Sequence, residues 1–315
     1  MIIKHADDRT GDIEALAALL ERRDLTQAQR QAIQSDLWKH KAGAAGERSV
    51  AFEIDERLRD AKNYMVIHDL RVVHGEDTAQ IDHLIVNRFC QVFVLETKSI
   101  KNGLRWNAQG EFETTVRFGG RFQKVGIPSP LHQNARHCRV LKRLFHDKVV
   151  DITSISTAFL QPDVRGLVVV PNHVHVDRRV PLQGAELVMK AEAIWDKILK
   201  DGEVGFLRFL GGTVSAASLE AFARALAARH TPLERDLLRR YGLTPVPQEA
   251  ARGDAQARPQ EQGMARPTTS QTAPTSCDSC GVGIPTRVVA YCQAHAARFA
   301  GKTLCRTCQG KAATP

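Results

Sequence analysis

No run of apolar residues in this 315-residue chain approaches the ~20 needed to cross a bilayer. The opening stretch, Met1-Ile2-Ile3-Lys4-His5-Ala6-Asp7-Asp8, lacks the charged-then-apolar pattern of a secretory signal. Together these absences lead us to expect a cytoplasmic protein with no membrane partner. Internal repeats are absent as well, which argues against a solenoid. Cysteine is scarce until the end: Cys90 and Cys138 stand alone ahead of five that crowd the last forty residues. That spacing excludes a disulfide framework and fits metal ligands. Large apolar residues nearly vanish over 244–276, where Pro, Gln, Ala, Thr and Arg dominate. Such a segment cannot bury enough surface to fold, so it is expected to be a flexible linker. Acid is outnumbered: 35 Asp and Glu against 44 Lys and Arg leave a net charge of +9. The excess is suited to a polyanionic partner, most simply nucleic acid, although a soluble basic protein needs none.

What is present is a core. Hydrophobic residues make up 43% of the chain, and its length allows one large domain or a domain plus an accessory module. Residues 10–42 have a helical, polar-rich pattern, with a staple and capping box at Leu25-Thr26 and Gln29. A second helix is expected from Ala45 to Asp60. There Glu47, Val50, Ile54 and Leu58 recur three, four and four apart, which puts Glu47 on the buried stripe. Strands are expected over 64–70, 79–86 and 91–98, the last two as an antiparallel pair. A hairpin over 104–116 follows, turning at Asn107-Ala108-Gln109-Gly110. Ser129-Pro130 then caps a helix from Leu131 to Phe145, and Val164–Val170 reads as a strand buried on both faces. Beyond Pro181 helices are expected over 184–199, 215–229 and 232–241, with Gly202 or Gly242 as stops.

Three charged residues interrupt the strand-like segments. Asp82 lies within the second strand, and Glu96 and Lys98 close the third. An unpaired carboxylate in an apolar interior costs several kcal/mol, so such groups are paired, neutralised or bound to metal. Alternation places Glu96 and Lys98 on one face, and if the strands are neighbours Asp82 and Glu96 can converge on one ion. Two carboxylates suffice for Mg²⁺ (or Mn²⁺), which keeps several of its waters. Lys98 would then align or help deprotonate the attacking water and offset phosphate charge. Glu47 could reach the same ion or its water shell. The alternative is an ordinary ion pair between Glu96 and Lys98 at a strand end.

The combination of Gly46-Glu47, Gln80-Ile81-Asp82-His83, Val94-Leu95-Glu96-Thr97-Lys98, Pro130-Leu131-His132-Gln133 and Val164-Arg165-Gly166-Leu167-Val168-Val169 resembles the nuclease-related domain (NERD) family over about residues 43–172. That family is a branch of the PD-(D/E)XK superfamily, and Ile81 stands where the superfamily's name has proline. The resemblance implies an α/β, restriction-endonuclease-like fold: an αβββαβ core with mixed sheet and helical flanks. It also implies a Mg²⁺-dependent phosphodiesterase centre at Asp82, Glu96 and Lys98, with Glu47 and Gln133 auxiliary. Gln133 shares a helix face with His137, Val140 and Leu144, from which it can bond a catalytic lysine or a phosphate, or equally cap a strand edge. Arg117, Arg121, Lys124, Arg136, Arg139, Lys142 and Arg143 form either a phosphate-tracking face or a solvated surface. His132 and His137 read as surface or packing residues. His173 and His175, on alternating strand positions, could bind a metal, but nothing nearby completes a site.

Cys277-Asp278-Ser279-Cys280 and Cys305-Arg306-Thr307-Cys308 are two CxxC knuckles, four thiolates suited to tetrahedral Zn²⁺ in a module too small to fold unaided. Cys292 and His295 are either spare or replace one knuckle; spare is the preferred reading. The tail resembles a zinc ribbon, and its Arg287, Arg298, Lys302, Arg306 and Lys311 fit DNA contact, with protein docking the equal alternative. The expected organisation is therefore a helical extension over 1–43, a nuclease-like core over 44–172 and a helical continuation over 173–243. The linker at 244–276 and the zinc ribbon at 277–310 complete it. The expected function is a metal-dependent nuclease, most simply of DNA, with the tethered zinc module aiding binding to substrate or partner. The competing functions are a non-catalytic nucleic-acid-binding protein on a nuclease fold, and an adaptor whose ribbon recruits a protein.

Overall fold

Thr26 begins the longest helix with the capping box its spacing implies: its hydroxyl accepts from the Gln29 backbone, and the Gln29 side chain accepts from the Thr26 N–H. The computed structural model describes residues 1–153, 155, 162–201, 213–245, 276–284, 286–294, 296, 299–305 and 308–309. The chain divides into two compact units, Met1–Pro245 and Val246–Pro315. In the first, β1 (Ile2–Lys4) and α1 (Thr10–Leu20) precede α2 (Gln27–Leu58). A meander follows, made of β2 (Tyr64–His74), β3 (Asp77–Asn87) and β4 (Gln91–Thr97). Then come β5 (Leu104–Trp106), β6 (Phe112–Phe118), β7 (Arg121–Gly126) and α3 (Pro130–His146). The unit closes with β8 (Asp163–Val170), β9 (Val176–Asp177), β10 (Val188–Lys190), α4 (Ile194–Asp201), α5 (Ala216–Ala227) and the single turn α6 (Leu237–Arg240).

One mixed sheet, ordered β1-β2-β3-β4-β8-β10, forms the centre. β2, β3 and β4 pair antiparallel; β8 joins β4 in parallel, as a crossover through α3 requires. The protein is thus α/β, with the helix, three-strand, helix, strand order of a nuclease-like core. Val50, Ile54 and Leu58 of α2 cover one face of the sheet over Ile85, Phe93, Leu95 and Leu167. Val140, Leu141 and Leu144 of α3 cover the other, with Leu84, Val92, Val94 and Phe222 of α5. The two faces alternate along β4, as the period of a strand demands.

On the neighbouring β2–β3 ladder the alternation is broken. His68 pairs with His83, and the next pair is Leu70 with Ile81, leaving one residue on each strand between them: Asp69 and Asp82. Asp69 takes φ +50°, an uncommon conformation for a non-glycine residue. Leu70 and Ile81 consequently sit in the same core cluster as Leu84, against the simple parity. The hairpin is twisted at the acid-bearing rung, and β4 ends beside it.

Several expectations are corrected. The two helices expected to meet near residues 42–45 are one helix, α2, whose Ala42, Ala44 and Ala45 carry it past Gly43 and Gly46 with no proline to stop it. The helix expected over 184–199 is instead β10 between short 3₁₀ turns, followed by α4. Val188 and Met189 find an open sheet edge at β8 and pair with Val168 and Val169. The helix expected over 232–241 shrinks to α6, because Asp236 caps Arg239 and starts it late, while Gly242 at φ +61° stops it. The stretch 173–243 is therefore not purely helical. His173 and His175 lie in the turn ahead of β9, not on a strand. Gly202, most of the expected linker and His295 lie outside the described residues.

A second sheet, ordered β7-β6-β5-β9, packs Trp106 and Phe112 against Val168 and Val170. β7 lies beyond the hairpin expected to end at residue 116.

The second unit holds a small core of Cys277, Ile284, Val289, Cys292, Phe299 and Leu304 around the helix Thr286–Ala294, and Ser276 bridges to Gly283 across the first cysteine knuckle.

Candidate active site and metal centre

The β3–β4 register runs Leu84 to Val94 and ends at His83 with Leu95, and the next residue on each strand is Asp82 and Glu96. Asp82 does not lie free there: its Oδ2 accepts from the Thr97 N–H at 2.7 Å. Glu96 is 3% exposed. Its Oε1 accepts from Lys98 Nζ at 2.7 Å, whereas its buried Oε2 has no hydrogen-bond partner. Lys98 Nζ also donates to Gln133 Oε1 at 2.9 Å, so α3 and the end of β4 hold the ammonium between them. The Lys98 N–H donates to Val169 O at 2.8 Å, which ties this segment to β8.

Glu47 approaches from α2. Gly46 makes that approach possible: a Cβ there would stand 2.2 Å from Ser99 Cβ, so only glycine lets the helix pass this close to the residue after Lys98. Glu47 Oε1 accepts from Arg9 at 2.9 Å, and the same guanidinium reaches Asp69 at 3.2 Å. A cavity of about 200 Å³ lies among Arg9, Glu47, Arg48, Asp82 and His83.

Sequence reasoning missed four participants. Arg9 sits 38 positions from Glu47 on a segment with no local pattern to mark it. Asp69 owes its place to the twisted rung. His137, read as a surface or packing residue, is buried with Nδ1 3.4 Å from Glu96 Oε2. Burial, with Arg136 and Lys98 nearby, lowers its pKa to about 4, so it is neutral at physiological pH. Asn134, beside Gln133, donates to both Val94 O and Leu167 O and so pins α3 across β4 and β8. Its polarity on an otherwise apolar helix face was the available signal.

The electrostatics of the acid cluster point one way. Burial raises the pKa of Asp82 well above the carboxylate range, and the charges of Glu96 and Glu47 add to it. Burial also raises Glu47, against the pull of Arg9, and Glu96, against the pull of Lys98. Among the described residues, the ion pairs of this four-carboxylate cluster (Glu47, Asp69, Asp82, Glu96) come from two cations, Arg9 and Lys98. A divalent cation would balance that excess. The fit is reinforced by Glu96 Oε2, a buried acceptor that makes no hydrogen bond, with the neutral His137 imidazole near it at 3.4 Å. Among the described residues, ligand atoms from three or more residues all within 4.8 Å of one another occur at the cysteines; the carboxylates are not gathered so tightly. Two carboxylates with water completing the shell are what Mg²⁺ uses, so Asp82 and Glu96 are the pair suited to it.

The sign of the pH dependence follows. Acids with raised folded-state pKa bind more protons folded than unfolded between about pH 4 and their raised values. Stability of the Mg²⁺-free protein is therefore expected to fall as pH rises through that window. Saturating Mg²⁺ at neutral pH should restore about 2–3 kcal/mol, an effect that fades on acidification. Calorimetric melts with and without Mg²⁺ across the window check this; a cation effect independent of pH would contradict it.

At the other centre, Cys277, Cys280, Cys305 and Cys308 bring their sulfurs within 4.8 Å of one another, a cluster that can hold a zinc ion. The Cys305 N–H donates to Cys277 Sγ at 3.2 Å and helps lower that thiol's pKa to about 6. Cys292 is not among the four. It is buried, accepting from the Leu304 N–H and from Gln309, and serves the small core. Among the described residues no helix is long and apolar enough to cross a membrane.

Comparison with known proteins gives a single positive finding. Residues 42–171 match the family model described as the nuclease-related domain. No curated protein and no solved structure gives a significant match.

Proposed function

We propose that the protein, whose residues 42–171 match the nuclease-related domain model, is a metal-dependent nuclease that hydrolyses phosphodiester bonds in DNA. The observation that carries this reading is the buried Glu96 carboxylate, one oxygen bonded to Lys98 and the other unpartnered, next to the raised carboxyl of Asp82. Asp82 and Glu96 would hold Mg²⁺ or Mn²⁺, which when bound polarises phosphate oxygens and makes its water more acidic. Lys98 keeps its ammonium at the mouth of this pair, where it orients the attacking water and donates to the phosphate oxygen on which charge builds. Water oxygen bonds to phosphorus and gives up a proton to solvent, the bond to the leaving ester oxygen breaks, and that oxygen takes up a proton from solvent. Gln133 fixes the lysine's position, and Glu47, engaged by Arg9, acts on the outer water shell. In the same reading the four cysteines hold a structural zinc ion, and that module aids contact with nucleic acid or a protein partner.

The test is cleavage of plasmid and single-stranded DNA with Mg²⁺ or Mn²⁺ and with chelator. Divalent-dependent cutting that disappears in Glu96→Gln supports the enzyme. Binding without cleavage of either substrate by the wild-type protein would replace it with a non-catalytic nucleic-acid-binding role.

A further inference from the structure

The β6–β7 hairpin carries a pattern that the acid centre does not use. Phe118-Gly119-Gly120-Arg121 forms its tip, with both glycines at positive φ (+55° and +80°), as a tight two-residue turn requires. Its register pairs Phe118 with Arg121 and Arg117 with Phe122. Directly paired residues share a face, and consecutive pairs lie on opposite faces, so each side of the ribbon displays one phenylalanine beside one arginine. Lys124, paired with Thr115, adds a charge to the Arg117–Phe122 side. Phe118 is 73% and Phe122 71% exposed, and the whole of β7 faces solvent. Among the described residues, Arg117, Arg121 and Lys124 pair with no carboxylate. Two large aromatics left in water beside unpaired cations are a binding surface awaiting an occupant.

The root of this ribbon, by contrast, is fixed to the acid centre from both ends. Asn102 donates to Thr115 O and the Thr114 hydroxyl to Gly103 O, which fastens the segment after Lys98 to β6. At the other end Ile127 bonds back to Phe112, and Ser129 then caps the helix that delivers Gln133 to Lys98. Three residues at roughly 3.3 Å each carry the tip about 10 Å beyond Thr115.

We infer that the β6–β7 ribbon is the element that grips double-stranded DNA by entering its groove, Arg117, Arg121 and Lys124 taking the phosphate walls while Phe118 and Phe122 meet sugars and base edges. Charge complementarity names a polyanion. Decoration of both faces favours a duplex, because a ribbon inside a groove meets two walls whereas a single strand runs along one face. The B-form major groove, about 12 Å wide, admits a two-stranded ribbon, and the deep, narrow groove of A-form RNA does not. The inference deepens the nuclease reading by naming how its substrate is held.

The test uses full-length, zinc-loaded protein without added Mg²⁺, and measures binding by fluorescence anisotropy as a function of salt. Duplex DNA, single-stranded DNA and duplex RNA of one length are compared. The triple variant Arg117→Gln/Arg121→Gln/Lys124→Gln should bind duplex DNA about 10- to 100-fold more weakly, its salt slope smaller by about 2–3. Phe118→Ser/Phe122→Ser should lose about 10-fold with the slope unchanged. Far-UV circular dichroism shows that both variants keep their fold. Duplex binding equal to wild type in both would overturn the inference, as would equal losses on single strands or duplex RNA. A change in oligomeric state with DNA binding intact would assign the ribbon to self-association instead. Because no cutting is involved, this result stands apart from the Glu96→Gln assay: either can fail alone.

Discussion

Lys98→Met is expected to lower divalent-dependent cleavage by about a thousandfold while leaving DNA affinity without Mg²⁺ close to wild type. The ammonium is shared between Glu96 Oε1 and Gln133 Oε1, so its position is set from two elements and does not depend on substrate. Losing it has a second consequence that a merely structural lysine would not show. Glu96 is already raised by burial, and the charge of Lys98 is what opposes that rise. Without the lysine, Glu96 holds its proton to higher pH and competes less well for a cation. The acid limb of the residual pH–rate profile should therefore move upward, and more Mg²⁺ should be needed at any given pH. Wild-type cleavage rates in Lys98→Met would remove the lysine from the chemistry. Reduced rates with no movement of the acid limb would show that it does not tune Glu96.

Removing zinc is expected to unfold the second unit entirely and leave the first intact. Among the described residues the unit's core is six buried side chains, two of them cysteine, around one short helix. Such a core does not outweigh the conformational entropy of ordering the chain. Zinc bound by four thiolates contributes about 10–16 kcal/mol in comparably small modules, enough to decide the matter. Atomic emission on the full-length protein should find a single zinc per chain, lost in Cys305→Ser and retained in Cys292→Ser. Limited proteolysis should then degrade the tail of Cys305→Ser while residues 1–245 survive. A protease-resistant tail in the metal-free protein would contradict the account.

The residues that could be read ahead of the structure are those whose placement depends on local period. Two-residue alternation put Glu96 and Lys98 on one face, where they bond, and a short connection made β3 and β4 neighbours, which brings Asp82 to the Thr97 N–H at the end of β4. The Thr26 capping box, the Ser129-Pro130 helix start and the buried β8 strand follow from equally local rules. What escaped depends on distant partners. β1 and β10 are three residues each and exist because a sheet edge accepts them. Arg9 and His137 join the site through tertiary packing alone. The left-handed Asp69 has no signature at all, since nothing in its sequence neighbourhood demands positive φ. β7 went unseen because its residues are exposed on both faces, which leaves no apolar alternation to mark a strand.

The shared cation can be measured directly by titrating zinc-loaded, full-length protein with Mn²⁺ and following the free ion by electron paramagnetic resonance. Wild-type protein should take up a single Mn²⁺ per chain, and Asp82→Asn and Glu96→Gln should each abolish that uptake while their melting behaviour remains cooperative. Undiminished Mn²⁺ uptake in both variants would contradict the claim that these two carboxylates hold the metal.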